Sequence, residues 1–164
     1  MTNFKETSIL KPQNNIKLGH KVANVALTNG TLGKINLYDI PGDWKIISTF
    51  PSIDTSVCDI QTKKIYEIAK AKNITLINVS TDLPFALNKW CMLNNISDIN
   101  ILSDYNGINL GKELGIVIDG FNLLYRTIFI LNKENELVYY QFVQKVTDQI
   151  DFDNLSEFIS IKII

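Results

Sequence analysis

The stretch WKIISTFPSIDTSVCDIQTKKI, Trp44–Ile65, changes its period in the middle. Its first part, Trp44–Phe50, is apolar and β-branched and reads as a buried strand. Pro51 stops that strand, because it brings no N–H to a ladder. A short loop, Ser52–Thr55, follows. Beyond it the apolar residues recur at helical spacing: Val57, Ile60, Ile65, Ile68 and Ala69 fall near one face of a helix that runs to about Lys72. Cys58 is thereby placed in the first turn of a helix that starts where a buried strand ends.

The same grammar repeats on the C-terminal side. ITLINVS (Ile74–Ser80) is a second buried strand, and a helix begins near Pro84, with Asp82 as its expected N-cap. That helix carries Trp90 and Cys91. INILSD (Ile99–Asp104) is a third strand, and Gly107–Leu114 a short helix. RTIFIL (Arg126–Leu131) is a strand that the polar turn NKENE joins to LVYYQFV as a hairpin; DFDNLSEFISIKI closes the chain as a helix. On the N-terminal side, NFKETSI, NIKLG and ANVALTN are extended pieces, with turn signals at Asn29-Gly30 and Pro41-Gly42. Strands separated by helices imply parallel crossovers, and the late hairpin adds antiparallel strands. The expected architecture is α/β: a thioredoxin fold, with a mixed central sheet flanked by helices and an N-terminal β-hairpin extension, in one domain over residues 1–164.

Composition narrows the function. The 164 residues are enough to bury a core without disulfides or a structural metal. Sixteen basic and 17 acidic residues give a net charge of −1, so there is no basic excess to hold a polyphosphate backbone, which argues against nucleic acid. No apolar run approaches the ~20 residues that span a bilayer, and the polar start MTNFKETSILKPQNN has no signal-peptide core. A cytoplasmic location is the expectation. The two cysteines, Cys58 and Cys91, and the single histidine, His20, make a poor zinc set, since a structural site takes four nitrogen or sulfur ligands. A static disulfide is out of place in a reducing compartment. Two readings remain: inert buried thiols, or a redox pair.

The surroundings of Cys58 favour chemistry. First-turn N–H groups lack intrahelical partners and the dipole makes that end positive, so a thiolate is stabilised there over a thiol. Thr55 lies one turn back, and its hydroxyl can reach the sulfur and a bound oxygen. Pro51 packs over the loop and limits water. The plainer reading makes Cys58 a small apolar filler and Thr55 an ordinary N-cap. Arg126 opens an otherwise apolar strand; it is either a solvated rim residue or, if the fold sets it beside Cys58, a cation for the thiolate and for a bound oxygen. Asp54 and Asp59, which would oppose a thiolate, are expected to face solvent.

PSIDTSVC (Pro51–Cys58) resembles the active-site loop of the peroxiredoxins: Pro, three residues, Thr or Ser, two residues, then the reactive Cys. The longer SIDTSVCDIQT, together with DLPFALNKWC (Asp82–Cys91), resembles the thiol peroxidase subfamily, atypical two-cysteine type. The resemblance runs from about Leu18 to the C-terminus. It departs at Trp90, where the subfamily usually has Phe, at Lys89, where Arg is commoner, and over the first fifteen or so residues. It implies Cys58 as the peroxidatic cysteine, Pro51 and Thr55 as the residues that shield and orient it, Arg126 as the neighbouring arginine, and Cys91 as the resolving cysteine. It further implies a homodimer re-reduced by thioredoxin, acting on hydrogen peroxide and on alkyl or lipid hydroperoxides, with no metal, flavin or haem.

The separation of 33 positions between the two cysteines places each on its own helix, whereas a disulfide needs Cα atoms within ~7 Å. Both helices are therefore expected to unwind partly during turnover. Rival readings are a one-cysteine peroxidase with an inert Cys91, a redox sensor that alters a protein contact, and a general dithiol oxidoreductase; the absence of Cys-x-x-Cys opposes the last. Phe50, Ile53, Phe121, Leu123, Leu124 and Tyr125 form either an apolar substrate rim or plain core and dimer contacts.

Overall fold

The computed structural model describes residues 16–97 and 100–163. The expected strand at NFKETSI and the first residue of INILSD, Ile99, lie outside them. Among the described residues a single sheet of seven strands has the order β2-β1-β5-β4-β3-β6-β7. β3 (Lys45–Thr49), β4 (Thr75–Ser80) and β5 (Asn100–Ser103) run parallel. β6 (Thr127–Leu131) joins β3 antiparallel and carries β7 (Leu137–Phe142) on its outer edge. β1 (Ala26–Thr28) and β2 (Lys34–Asn36) form the N-terminal hairpin, which meets β5 antiparallel. This is the mixed, helix-flanked sheet with a hairpin extension that the sequence predicts.

Neighbouring apolar residues in each central strand serve opposite faces. Ile46, Leu76, Ile128 and Ile130 pack under α1 (Ser56–Ala71) and α4 (Phe152–Lys162), through Ile65, Ala69, Leu155 and Ile159. Ile47, Ile77, Val79 and Phe129 pack on the other face with Leu110 and Leu114 of α3 (Asn109–Leu114). A small third cluster, Phe50, Ile53, Cys58, Leu87 and Trp90, sits where β3 gives way to α1 and meets α2 (Pro84–Leu93). Among the described residues no helix is long and apolar enough to cross a membrane.

Three local expectations change. The buried face of α1 is Cys58, Gln61, Thr62, Ile65 and Ala69, while Ile60 is 44% exposed and Val57 only half-buried. Near its N-terminus the helix buries polar residues, because a hydrogen-bonding site lies beneath them. Asp82 does not cap α2: the N-cap is Leu83, without a side-chain bond, and the Asp82 carboxylate turns instead to Ser52, Ile53 and Ser80. The β1–β2 turn is built by the Asn29 side chain, whose Oδ1 accepts from the N–H groups of Thr31 and Gly33; the left-handed residue is Leu32, with φ 64°, rather than Gly30. The NKENE turn forms as expected, with Asn132 Oδ1 accepting from Glu134 and Glu136 and Asn135 at φ 61°. At Pro41-Gly42, the Gly42 φ of 138° and the nearby Thr75 side chain leave no room for a Cβ.

Phe129 lies wholly buried at the centre of β6 and meets Phe142 edge-on at 5.8 Å between ring centroids. Phe129→Ala is expected to cost about 3–5 kcal/mol of stability, read as a lower denaturation midpoint in urea. A loss below about 1 kcal/mol would show that this face of the sheet does not hold the fold.

Candidate active site

β3 ends at Thr49, and α1 begins at Ser56, with Thr55 as its N-cap. Thr55 Oγ1 accepts from the backbone N–H of Cys58 at 3.3 Å and donates to the Ser52 carbonyl at 3.2 Å. The threonine thus organises the first helical turn through the backbone of Cys58, and no bond from its hydroxyl to the sulfur is made here. Cys58 has no exposed surface, and Phe50, Ile53, Leu87 and Trp90 enclose it on the side of α2.

The fold brings Arg126 to the sulfur. Nη1 donates to Cys58 Sγ at 3.3 Å and to Gln61 Oε1 at 2.7 Å; Nε and Nη2 both donate to the Val146 carbonyl, at 3.1 and 2.9 Å. Arg126 is 2% exposed. A buried charge needs partners that return what water supplied. Its partners among the described residues are two carbonyl-type oxygens and a sulfur, with no carboxylate. The Cys58 sulfur is the one acceptor among them that belongs to a nucleophilic side chain.

Gln61, which sequence reasoning missed, fixes that guanidinium. Its amide nitrogen donates to Ser48 Oγ at 2.8 Å and to the Thr49 carbonyl at 3.2 Å, which leaves Oε1 turned to Arg126. The signal was in the helical phase: stepping back from Ala69 and Ile65 by one turn lands on Gln61 and Thr62, then on Cys58. Thr49 donates to the Tyr125 carbonyl at 2.8 Å and meets Thr127 Oγ1, so the backbone on either side of Arg126 is tied to β3.

Asp82 is the second missed residue. It accepts from Ser52 Oγ at 2.9 Å, from the Ile53 N–H at 2.8 Å and from Ser80 Oγ at 2.6 Å. The loop that presents Cys58 is thereby tied to the loop that starts α2. Asp54 faces solvent as expected, but Asp59 does not: half-buried, it accepts from Trp90 Nε1 at 2.8 Å and from Lys63 Nζ at 3.0 Å. Trp90 lies on α2, out of reach of a reading confined to α1.

A cleft of about 390 Å³ leads to the site, and its wall is almost wholly apolar. Pro51, Val57, Phe121, Leu123 and Val146 line it, and Arg126 is the charged group it reaches. Of the six rim candidates, only Phe121 and Leu123 belong to the cleft; Phe50, Ile53, Leu124 and Tyr125 are core residues. Cys91 stands apart from this group. Both cysteines are free, and Cys91 is half-buried at the edge of the cluster around Cys58, facing a separate cavity between α2 and β5 lined by Asn88, Met92 and Ile101. Burial pushes its thiol above the ordinary cysteine range.

Comparison with known proteins agrees with this geometry. The family model described as AhpC/TSA family matches residues 18–140. A thiol peroxidase of Staphylococcus saprophyticus is 38% identical over 154 residues, 94% of each chain. One from Halalkalibacterium halodurans is 34% identical over 155 residues, 94% of this chain and 93% of its own. Among solved structures, a peroxiredoxin-like protein from Aquifex aeolicus superposes with a TM-score of 0.83 at 26% identity, covering 93% of this chain and 91% of the other. The thiol peroxidase from Chromobacterium violaceum gives the same TM-score and coverage at 17% identity, a likeness of fold. A thiol held by a buried guanidinium at a helix N-terminus, on this sheet and in this company, means that the chain belongs to the AhpC/TSA family, as a thiol-dependent peroxidase.

Proposed function

We propose that Cys58 is the peroxidatic nucleophile, that Arg126, Thr55 and Pro51 complete its site, and that Cys91 resolves the oxidised cysteine, all within one domain spanning 1–164. The observation that carries this reading is the 3.3 Å contact between the Arg126 guanidinium and Cys58 Sγ at a site with no carboxylate partner among the described residues. The Cys58 thiolate attacks the terminal oxygen of the peroxide; the O–O bond breaks, and the departing oxygen takes up a proton and leaves as water or an alcohol. Arg126 Nη1 and the first-turn N–H groups of α1 stabilise the charge that gathers on the oxygens. Cys58 becomes a sulfenic acid. The Cys91 thiol then condenses with it to a disulfide and water, and a dithiol reductant of the thioredoxin type restores both thiols by exchange. Thr55 shapes the first turn through the Cys58 N–H, and Pro51 walls the cleft.

The apolar wall supports organic hydroperoxides as substrates beside hydrogen peroxide, because Phe121 and Leu123 offer an alkyl tail contact at the mouth. A homodimer in the cytoplasm is part of the same proposal.

Stopped-flow oxidation with hydrogen peroxide and cumene hydroperoxide, coupled to thioredoxin, tests the roles. Cys58→Ser is expected to lose peroxide consumption altogether; wild-type activity in that variant would end the reading. Cys91→Ser is expected to oxidise once and then stall in the coupled assay, and undiminished turnover would make the resolving thiol external. Arg126→Ala is expected to slow the first oxidation by about 10²–10³-fold, with Arg126→Lys in between, since a point charge cannot bridge sulfur, Gln61 and Val146 together.

The state of Cys91 gives a pH test. Its folded value is raised, so folding favours the uncharged thiol. That contribution is complete below the ordinary thiol value of about 8.5 and is lost as the pH climbs through the higher folded value. The unfolding free energy of the reduced protein is therefore expected to fall more steeply above pH ~8.5 than that of Cys91→Ala. Parallel curves would show that the half-buried thiol titrates as it does in the unfolded chain.

A further inference from the structure

Trp90 immediately precedes Cys91, and Asp59 immediately follows Cys58. The two are hydrogen-bonded: Trp90 Nε1 donates to Asp59 Oδ1 at 2.8 Å, while Lys63 Nζ, one turn along α1, donates to Asp59 Oδ2 at 3.0 Å. Trp90 is 8% exposed and its ring packs in the same cluster as Cys58, with Phe50, Ile53 and Leu87. Cys91 is rotated by about 100° from Trp90 on an α-helix, so the tryptophan faces α1 while the thiol lies at the edge of the cluster and lines another cavity. The Trp90 ring, its indole N–H held by Asp59, thus fills the cluster that encloses Cys58, and Cys91 packs only at the edge of that cluster.

We propose that the Trp90–Asp59–Lys63 strut is a latch between the two cysteine-bearing helices, and that its opening sets the rate of disulfide formation. The inference rests on the functional reading above and deepens it. In the latched state Cys58 is enclosed beside Arg126 and is ready for peroxide. After oxidation, the indole must leave Asp59 and the ring must swing out before the Cys91 sulfur reaches Cys58. The step is balanced: the S–S bond forms as the S–O bond of the sulfenic acid breaks, the departing hydroxide takes the Cys91 proton as water, Cys91 is oxidised and Cys58 is reduced from the sulfenic level. While the latch stays shut, the sulfenic acid remains exposed to a second peroxide, which carries it to sulfinic acid. Trp90 and Asp59 are positioning residues: they touch neither peroxide nor the reacting sulfur–oxygen bond, and act by holding the helices.

The test follows the two oxidation phases separately in the full chain: sulfenic acid formation, first order in peroxide, and disulfide formation, independent of peroxide. Trp90→Phe keeps an aromatic ring and removes the donor; Asp59→Ala leaves the tryptophan and removes the acceptor. Each is expected to speed the disulfide phase about tenfold, the scale of one hydrogen bond to a charged group, and to raise by the same factor the peroxide concentration that gives half sulfinic acid by mass spectrometry. The first phase is the internal reference and should move by no more than about twofold. The double variant should match either single variant, because the latch is one bond; additive effects would mean two unrelated packing defects and would overturn the proposal. Disulfide phases unchanged in both single variants would also overturn it while leaving the peroxidase reading intact. A wild-type chain that consumes peroxide yet forms no Cys58–Cys91 disulfide would overturn both the latch and the assignment of Cys91.

Discussion

The Arg126 guanidinium is the interaction around which the site end of this molecule is arranged. A fixed charge with 2% exposure is expensive unless every donor direction is met. Here the donors go to the Val146 carbonyl, to Gln61 and to Cys58 Sγ. Those partners come from three places: the segment between β7 and α4, the buried face of α1, and the first turn of the same helix. Gln61 passes the constraint on to β3 through Ser48 and Thr49. Four parts of the chain are therefore registered against one planar cation, and the sulfur shares its Nη1 with Gln61.

A second set of constraints links the two cysteine-bearing segments. Asp82 grips Ser52 and Ile53 ahead of α1 while standing at the start of α2, and Trp90 reaches from α2 to Asp59. Both contacts hold the loop–helix unit that presents Cys58. Under the proposed cycle they oppose the excursion that would bring Cys91 to it. On the proposed roles, Cys58 profits from rigid preorganisation, and Cys91, on the next helix, profits from release. The polar ties between α1 and α2 are where those demands meet, because hydrogen bonds can open singly while the sheet beneath them, with its wholly buried β3 and β6, stays intact.

The architecture was largely readable from the chain. Trp44–Phe50, Ile74–Ser80 and Arg126–Leu131 are buried strands because runs of Ile, Leu and Val have no other stable place, and the observed β3, β4 and β6 fall within those spans. The face of α1 was read one step off. Val57 and Ile60 are apolar, yet the helix turns Gln61 and Thr62 inward, since the floor beneath is the polar network of Ser48, Thr49 and Arg126. Hydrophobicity alone phases a helix well where it covers a core and poorly where it covers a site. Asp82 was placed as a cap for the same kind of reason: a cap is a local use of a carboxylate, and the loop it actually holds is about thirty residues away in sequence.

What the sequence by itself determined is therefore local: a strand that must end at Pro51, a helix that must begin near Thr55, and a thiol in its first turn, where unpaired N–H groups favour an anion. That is enough to propose a reactive cysteine. Only the tertiary structure decided that Arg126, 68 residues further on, bonds that sulfur, that Gln61 aims it, and that Asp59 is tied to Trp90 rather than to solvent. The physical reason is one of range. Backbone preferences and apolar periodicity act over a turn or a strand and are written in neighbouring residues. The partners of a buried charge are chosen by which segments the sheet brings together.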